Sequence, residues 1–140
     1  MENVDYTSTF IAVAPDTAAV AGVPPAPRGD APTVASATYD LIASAPYELR
    51  SSDVIFRVWA GRHGVSTDSP DEWASFYATP RACLRSSDLG KRYGWGIHAD
   101  ADGRLAVYAV GSSDYDALAA GAAPDGSPVA VTAAMRSSRR

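Results

Sequence analysis

The stretch YGWGIHADADGRLAVYAV, residues 93–110, constrains the fold more than any other part of the chain. Asp102-Gly103 separates two apolar runs, and this pair tolerates the positive φ angles of a tight turn, so the stretch predicts a β-hairpin. Side chains alternate across a strand with a period of two. Tyr93, Trp95 and Ile97 then share one face, and Gly94, Gly96 and His98 the other. A two-residue turn at Asp102-Gly103 would set Ile97 against Tyr108, Trp95 against Val110, His98 against Val107 and Gly96 against Ala109. Glycine weakens a strand interior, so two on one face mean that something approaches the backbone closely there. A packed helix and a ligand both meet that requirement; the helix is favoured, with His98 at the rim of the bare face.

The rest of the chain supplies elements to cover such a hairpin. Residues 9–14 (TFIAVA) are apolar and partly β-branched, which predicts a buried strand. Residues 15–32 form a Pro/Gly-rich loop, long enough to be either functional or mobile. Arg28-Gly29-Asp30 within it reads as a turn. Thr33 can cap a helix running to about Ala45, with Val34, Ala37, Leu41 and Ala45 on its apolar face and Pro46 ending it. Ser51, Ser52 and Asp53 offer a second cap before a segment, 54–63, that suits helix better than strand. Ser69-Pro70-Asp71-Glu72 starts a third helix, with Trp73, Phe76 and Tyr77 as its core face. Ser112 or Ser113 caps a short helix that Gly121 ends, PDGSP at 124–128 turns the chain, and 129–135 is either strand or helix. The pentapeptide LRSSD at 49–53 and 84–88 is a repeated capping signal, since its flanks share nothing else. Together these features predict an α+β fold: a single domain over residues 1–140, with a small antiparallel sheet around a central hairpin and three to four helices against it.

Composition narrows the function classes. The 140 residues are 46% hydrophobic and carry a net charge of −4, which argues against a nucleic-acid partner because a phosphate backbone rewards a basic footprint. No apolar run is long enough for a membrane span, and MENVDYTSTF lacks the features of a signal peptide, so a cytoplasmic location is expected. Cys83 is the only cysteine, and His63 and His98 lie too far apart for a metal-ligand spacing, so no metal is expected. Gly94-Trp95-Gly96 lacks the third glycine of a dinucleotide fingerprint, and Asp100-Ala101-Asp102-Gly103 lacks the further oxygen ligands of a calcium loop. No cofactor is expected either.

The chemistry concentrates in RACLRSSDLGKRYGWGIH, residues 81–98. Arginine presents a planar fork that fits carboxylate or phosphate oxygens. Arg81, Arg85, Lys91 and Arg92 therefore read either as an anion-holding cluster or as a basic edge that discourages sheet-to-sheet aggregation. Neighbouring cations can favour the thiolate of Cys83, but the phosphatase spacing fails because the sixth residue after it is Leu89, so a buried structural cysteine is expected.

Four blocks, TFIAVAPD, PRACLRSSDLGKRYGWGIH, DGRLAVY and AMRSSRR, together resemble a family of small bacterial proteins known only as a domain of unknown function. The resemblance runs from Tyr6 to the tail. It implies one domain, a bacterial origin and a cytoplasmic location, and it implies no reaction. Members usually carry a histidine where this chain has Trp59, with His63 one helical turn further on, and a lysine in the tail where this chain has Ser138.

The sequence thus points to a small anionic ligand, a phosphate or carboxylate, held by Arg81, Arg85, Lys91, Arg92 and Tyr93, with Arg136 of the basic tail 136–140 completing the set. His98 is the candidate for proton transfer, since an imidazole titrates near neutrality. The alternative is a non-catalytic module, a homodimer for example, using Tyr93, Trp95 and Tyr108 as an aromatic patch.

Overall fold

The computed structural model describes residues 1–137; Arg139, Arg140 and the departure at Ser138 lie outside the described residues. Ten elements follow in chain order. They are β1 (Thr9–Ala12), α1 (Val34–Ser44), α2 (Ser51–His63), α3 (Pro70–Tyr77), a 3-10 turn (Leu84–Ser86), α4 (Asp88–Lys91), β2 (Trp95–Ala99), β3 (Leu105–Ala109), α5 (Ser113–Ala119) and β4 (Ala130–Ala133). The fold is α+β, as expected. The segment 54–63 is helical and 130–133 is a strand.

Short polar side chains start the helices. Thr33 and Ser36 exchange hydrogen bonds in a capping box at α1, Ser69 accepts from the Glu72 amide at α3, and Ser112 accepts from the Tyr115 amide at α5. Both LRSSD copies serve this purpose. The first opens α2, where Asp53 accepts from the Arg50 amide and the distant Asp5 carboxylate takes both the amide and the hydroxyl of Ser52. In the second, Ser87 caps α4. Arg28 and Ala31 exchange backbone hydrogen bonds, so Arg28-Gly29-Asp30 is a turn.

The strand order is β3-β2-β1-β4. β1, β2 and β3 pair antiparallel, but β4 runs parallel to β1, so the sheet is mixed rather than wholly antiparallel. The reason is the connection. After β3 the chain passes through α5 and the 121–129 turn, and it enters β4 in the direction of β1.

The hairpin register is one residue off the expected one. Ile97 pairs with Val107, His98 with Ala106, Gly96 with Tyr108 and Trp95 with Ala109. Asp100 causes the shift. Its carboxylate accepts from the amides of Asp102 and Arg104, making it the first residue of the turn, while Gly103 takes the positive φ of 83° at the end. A one-residue shift moves every side chain of the second strand to the other face. Tyr108 therefore lies on the His98 side and Trp95 on the opposite one, so the two do not share a sheet face, although both border one pocket at the β3 edge.

The sheet is covered on both faces. Ile11, Ile97, Ala99 and Leu105 face α1, α2 and α4, meeting Ile42, Val54, Val58 and Leu89. The buried residues of α1 are Ala35, Ser36, Thr38 and Ile42; of the expected face, Ala37 and Leu41 are half-buried against the same core and Val34 is exposed. Thr38 can be buried because its hydroxyl donates to the Val34 carbonyl. Trp73, Phe76 and Tyr77 meet Phe56 and Trp59 in a second cluster, as the α3 pattern predicts. On the other face Phe10 packs with Tyr115 and Leu118 of α5.

Three expectations for the bare face resolve separately. Gly94 lies outside β2, with φ 78°, and the Ala21 carbonyl of the 15–32 loop sits against it. That loop also receives a hydrogen bond from Trp95 Nε1 at Val23. Gly96 lies beneath Phe10 and Tyr115, so the helix α5 is what approaches it. His98, beyond them, borders a cleft. Among the described residues no helix is long and apolar enough to cross a membrane.

A methyl group on Gly96 would stand 2.8 Å from Tyr115 Cε2 and closer still to the ring of the fully buried Phe10. Gly96→Ala is therefore expected to destabilise the fold by about 2 kcal/mol, the scale of overpacking, although alanine suits a strand better than glycine. Urea denaturation checks this; a variant as stable as the parent would contradict the packing.

Candidate functional site

His98 is carried by β2 on the α5 face, opposite Phe10 of β1 and Ala106 of β3. Only 4% of it is exposed. Its Nδ1 lies 2.9 Å from the Tyr47 hydroxyl, which in turn lies 2.6 Å from the Tyr108 hydroxyl. The Tyr47 ring stands edge-on to the imidazole, with centroids 5.5 Å apart. The ring's other nitrogen, Nε2, has no hydrogen-bond partner among the described residues, and His98 borders a cleft.

Tyr47 reaches this position by an unusual backbone. The chain leaving α1 runs along the outer edge of β3, with the Tyr47 amide donating to the Leu105 carbonyl and the Leu105 amide to the Leu49 carbonyl. Tyr47 turns with φ 58°, the left-handed region that costs a side-chain-bearing residue about 1–2 kcal/mol. The edge hydrogen bonds and the two hydroxyl contacts hold it there.

The cleft has a volume of about 330 Å³. Tyr47 and His98 form one part of it. Ser8 and the hairpin tip, Asp100 to Asp102, form a second wall, and Ala123, Pro124, Asp125, Ser127 and Val129 a third. The last wall is shaped by Asp125, whose Oδ1 accepts from the amide and hydroxyl of Ser127. These hydrogen bonds hold the Asp125 carboxyl below the usual range, so it is ionised. Burial pushes His98 below its ordinary 6.5, against the opposite pull of Asp100 and Asp125, so the imidazole is neutral at neutral pH. Burial, then the contact with Tyr108, pushes the Tyr47 phenol up, so it stays protonated.

A hydroxyl beside Nδ1 has a chemical consequence that a carbonyl would not. With the proton on Nδ1, His98 donates to Tyr47 and Tyr47 donates to Tyr108. With the proton on Nε2, Tyr108 donates to Tyr47 and Tyr47 donates to Nδ1. Both arrangements keep both contacts, so Nε2 can present a lone pair or an N–H to the cleft.

The sequence-selected cations sit elsewhere. Arg81 lies over the Phe76 ring at 3.8 Å and donates from Nε to the Phe76 carbonyl. Arg85 donates from Nε to the Ala133 carbonyl and accepts the Met135 amide at its own carbonyl, which fastens β4. Arg92 is exposed, 3.9 Å from Asp88. Lys91 ends α4, half-buried Tyr93 follows it, and exposed Arg136 follows β4. None of these six lines the His98 cleft. His63 lies at the exposed end of α2, stacked on Trp59, with Nδ1 2.8 Å from the Trp59 carbonyl. Cys83 is half-buried rather than buried, and its sulfur lies 3.2 Å from the Tyr6 hydroxyl. The residues that sequence reasoning missed are Tyr47, Asp100 and Asp125.

Because the folded-state pKa of His98 is depressed, its contribution to stability is complete above the unfolded value of 6.5 and declines as pH falls below it, where the unfolded chain takes up a proton first. The urea midpoint is expected to drop between about pH 7.5 and about pH 5.5, and to drop less in His98→Asn. Parallel curves for the two proteins would contradict the neutral, buried imidazole.

Comparison with known proteins gives a family and no activity. The family model described as Family of unknown function (DUF6157) matches residues 1–140. No curated protein and no solved structure matches the chain. With its full length matched, the chain belongs to the DUF6157 family, whose function is not established.

Proposed function

We propose that the cleft around His98 is a small-molecule site and that His98 exchanges a proton with the bound ligand through Nε2. One observation carries this reading: a buried histidine that borders a cleft, with Nδ1 held by a tyrosine pair and Nε2 without a hydrogen bond to another described residue. A titratable group with a shifted pKa in a concave site is the usual mark of binding or catalysis. The volume of about 330 Å³ lies at the small end of ligand pockets.

The proton route follows from the tautomers. When Nε2 accepts a proton from the ligand, the imidazolium formed donates from Nδ1 to Tyr47, and the Asp100 and Asp125 carboxylates lower its energy. The imidazolium then returns a proton from Nε2 to the ligand, which leaves the neutral Nδ1–H ring still donating to Tyr47, with the tyrosine hydrogen bonds unchanged. Tyr47 and Tyr108 act as positioning residues, since they act through His98. The cations expected to hold an anion lie on separate elements, and the proposal rests on the His98 cleft instead. The bacterial, cytoplasmic setting implied by the family resemblance belongs to the same proposal.

A mixture of small metabolites observed by saturation-transfer NMR tests it. At least one compound is expected to bind, to move the His98 Hε1 resonance and to lose binding in His98→Asn, which keeps a group for Tyr47 but removes Nε2. Where turnover is found, that substitution is expected to slow it by about 100-fold or more, and Tyr47→Phe by less. Ligands that bind without moving His98, or no binding at all, would overturn the reading.

A further inference from the structure

The charges around the cleft specify what it takes. Asp100, Asp102 and Asp125 line it, and no lysine or arginine does. Asp100 commits Oδ1 to the amides of Asp102 and Arg104, and Asp125 commits Oδ1 to Ser127. The second oxygen of each has no hydrogen bond to another residue among the described residues. Arg50 Nε donates to the carbonyl of the cleft residue Asp102 and Arg104 Nη1 to the Glu48 carbonyl, but neither arginine lines the cleft.

Acidic side chains alone are common on surfaces, but a second feature here also asks for a ligand. His98 is buried but for 4% of its surface, it borders the same space, and its Nε2 makes no hydrogen bond to another described residue. Neutral His98 offers an acceptor lone pair and adds no positive charge. Ala123, Pro124 and Val129 supply apolar surface beside it. Among the described residues no three His, Cys, Asp or Glu groups come together closely enough to hold a metal ion. The acceptors are thus spread for an extended organic cation rather than gathered around a point charge.

Resting on the assignment of this cleft as a small-molecule site, we infer that its ligand is an organic amine: an ammonium or guanidinium group meets Asp125 and Asp100, one N–H reaches His98 Nε2, and a short carbon chain lies on the wall of Ala123, Pro124 and Val129. An anion would face three carboxylates, and a neutral isostere would leave the free carboxylate oxygens to water. The site therefore discriminates by charge sign.

A series matched in length isolates that sign: 1,4-diaminobutane, 1,4-butanediol and succinate, with inorganic phosphate added, each titrated into the full chain while the His98 Hε1 and Asp125 amide resonances are followed. The diamine is expected to move both, weakening as salt rises, while the diol binds at least about fivefold more weakly and succinate and phosphate move neither. Asp125→Asn keeps the acceptor oxygen for Ser127, and Asp100→Asn keeps the one for the turn, so both variants preserve the loops. Each is expected to weaken diamine binding about threefold to fivefold, the scale of an exposed ion pair, and the double variant to abolish the preference over the diol. If the diol, succinate or phosphate moves His98 as readily as the diamine does, the amine assignment falls while the His98 site stands. If no probe of any charge moves His98, both fall.

Discussion

The ring of Phe10 lying on Gly96 is the contact on which the rest of the arrangement depends. Phe10 is fully buried and stands edge-on to Tyr115, with centroids 5.1 Å apart. Tyr115 in turn accepts the Val13 amide at its hydroxyl, which ties α5 to the end of β1. A side chain at position 96 would lift Phe10 and α5 off the sheet together. Because α5 leads directly into the 121–129 turn, its seating also decides where Asp125, Ser127 and Val129 stand relative to His98. The bare position in the strand is thus a packing device, and the cleft is its by-product one residue pair along β2.

His98 lies at the boundary between that packed region and solvent, and its surroundings separate two jobs. Burial lowers its proton affinity, while the tyrosine pair fixes the ring without fixing the tautomer. A backbone carbonyl beside Nδ1 would have locked a proton there and left Nε2 as an acceptor only. The left-handed Tyr47, held on the β3 edge, is the residue that brings a hydroxyl to His98. Strain of that kind persists where surrounding contacts over-determine it, and here edge hydrogen bonds and hydroxyl contacts act on the same residue.

Much of the fold was legible because local chemistry and tertiary structure agree. The hairpin, the Thr33, Ser69 and Ser112 caps and the aromatic face of α3 all follow from short-range signals. The hairpin register was not, because Asp102-Gly103 has the form of a two-residue turn while Asp100 captures two amides and lengthens it; Asp at the first and Gly at the fourth position of 100–103 was the signal available. The α1 face was hidden by Ser36 and Thr38, polar residues that bury well once their hydroxyls bond to the helix's own backbone. His98 was legible as the titratable group beside the glycines. Tyr47 was not, since it lies 51 residues away and no spacing rule links a left-handed residue after one helix to a histidine in a later strand.

The cations show why composition identifies a charged region more readily than its purpose. Arg81 and Arg85 spend their guanidinium Nε atoms on carbonyls, one closing the end of α3 and the other securing β4. Through Arg85 the 3-10 turn covers part of the outer edge of β4, occupying the Ala133 carbonyl and the Met135 amide, groups that would otherwise be open to pairing with another strand. A guanidinium suits this work because it satisfies a carbonyl while its remaining N–H groups stay in water. The carboxylates invert the pattern. Asp100 and Asp125 first satisfy backbone amides in turns, and that use of one oxygen fixes each side chain in the lining of the cleft. Turn-forming aspartates therefore give the cleft its sign, while Arg85 covers part of the edge of β4 and Arg81 closes α3.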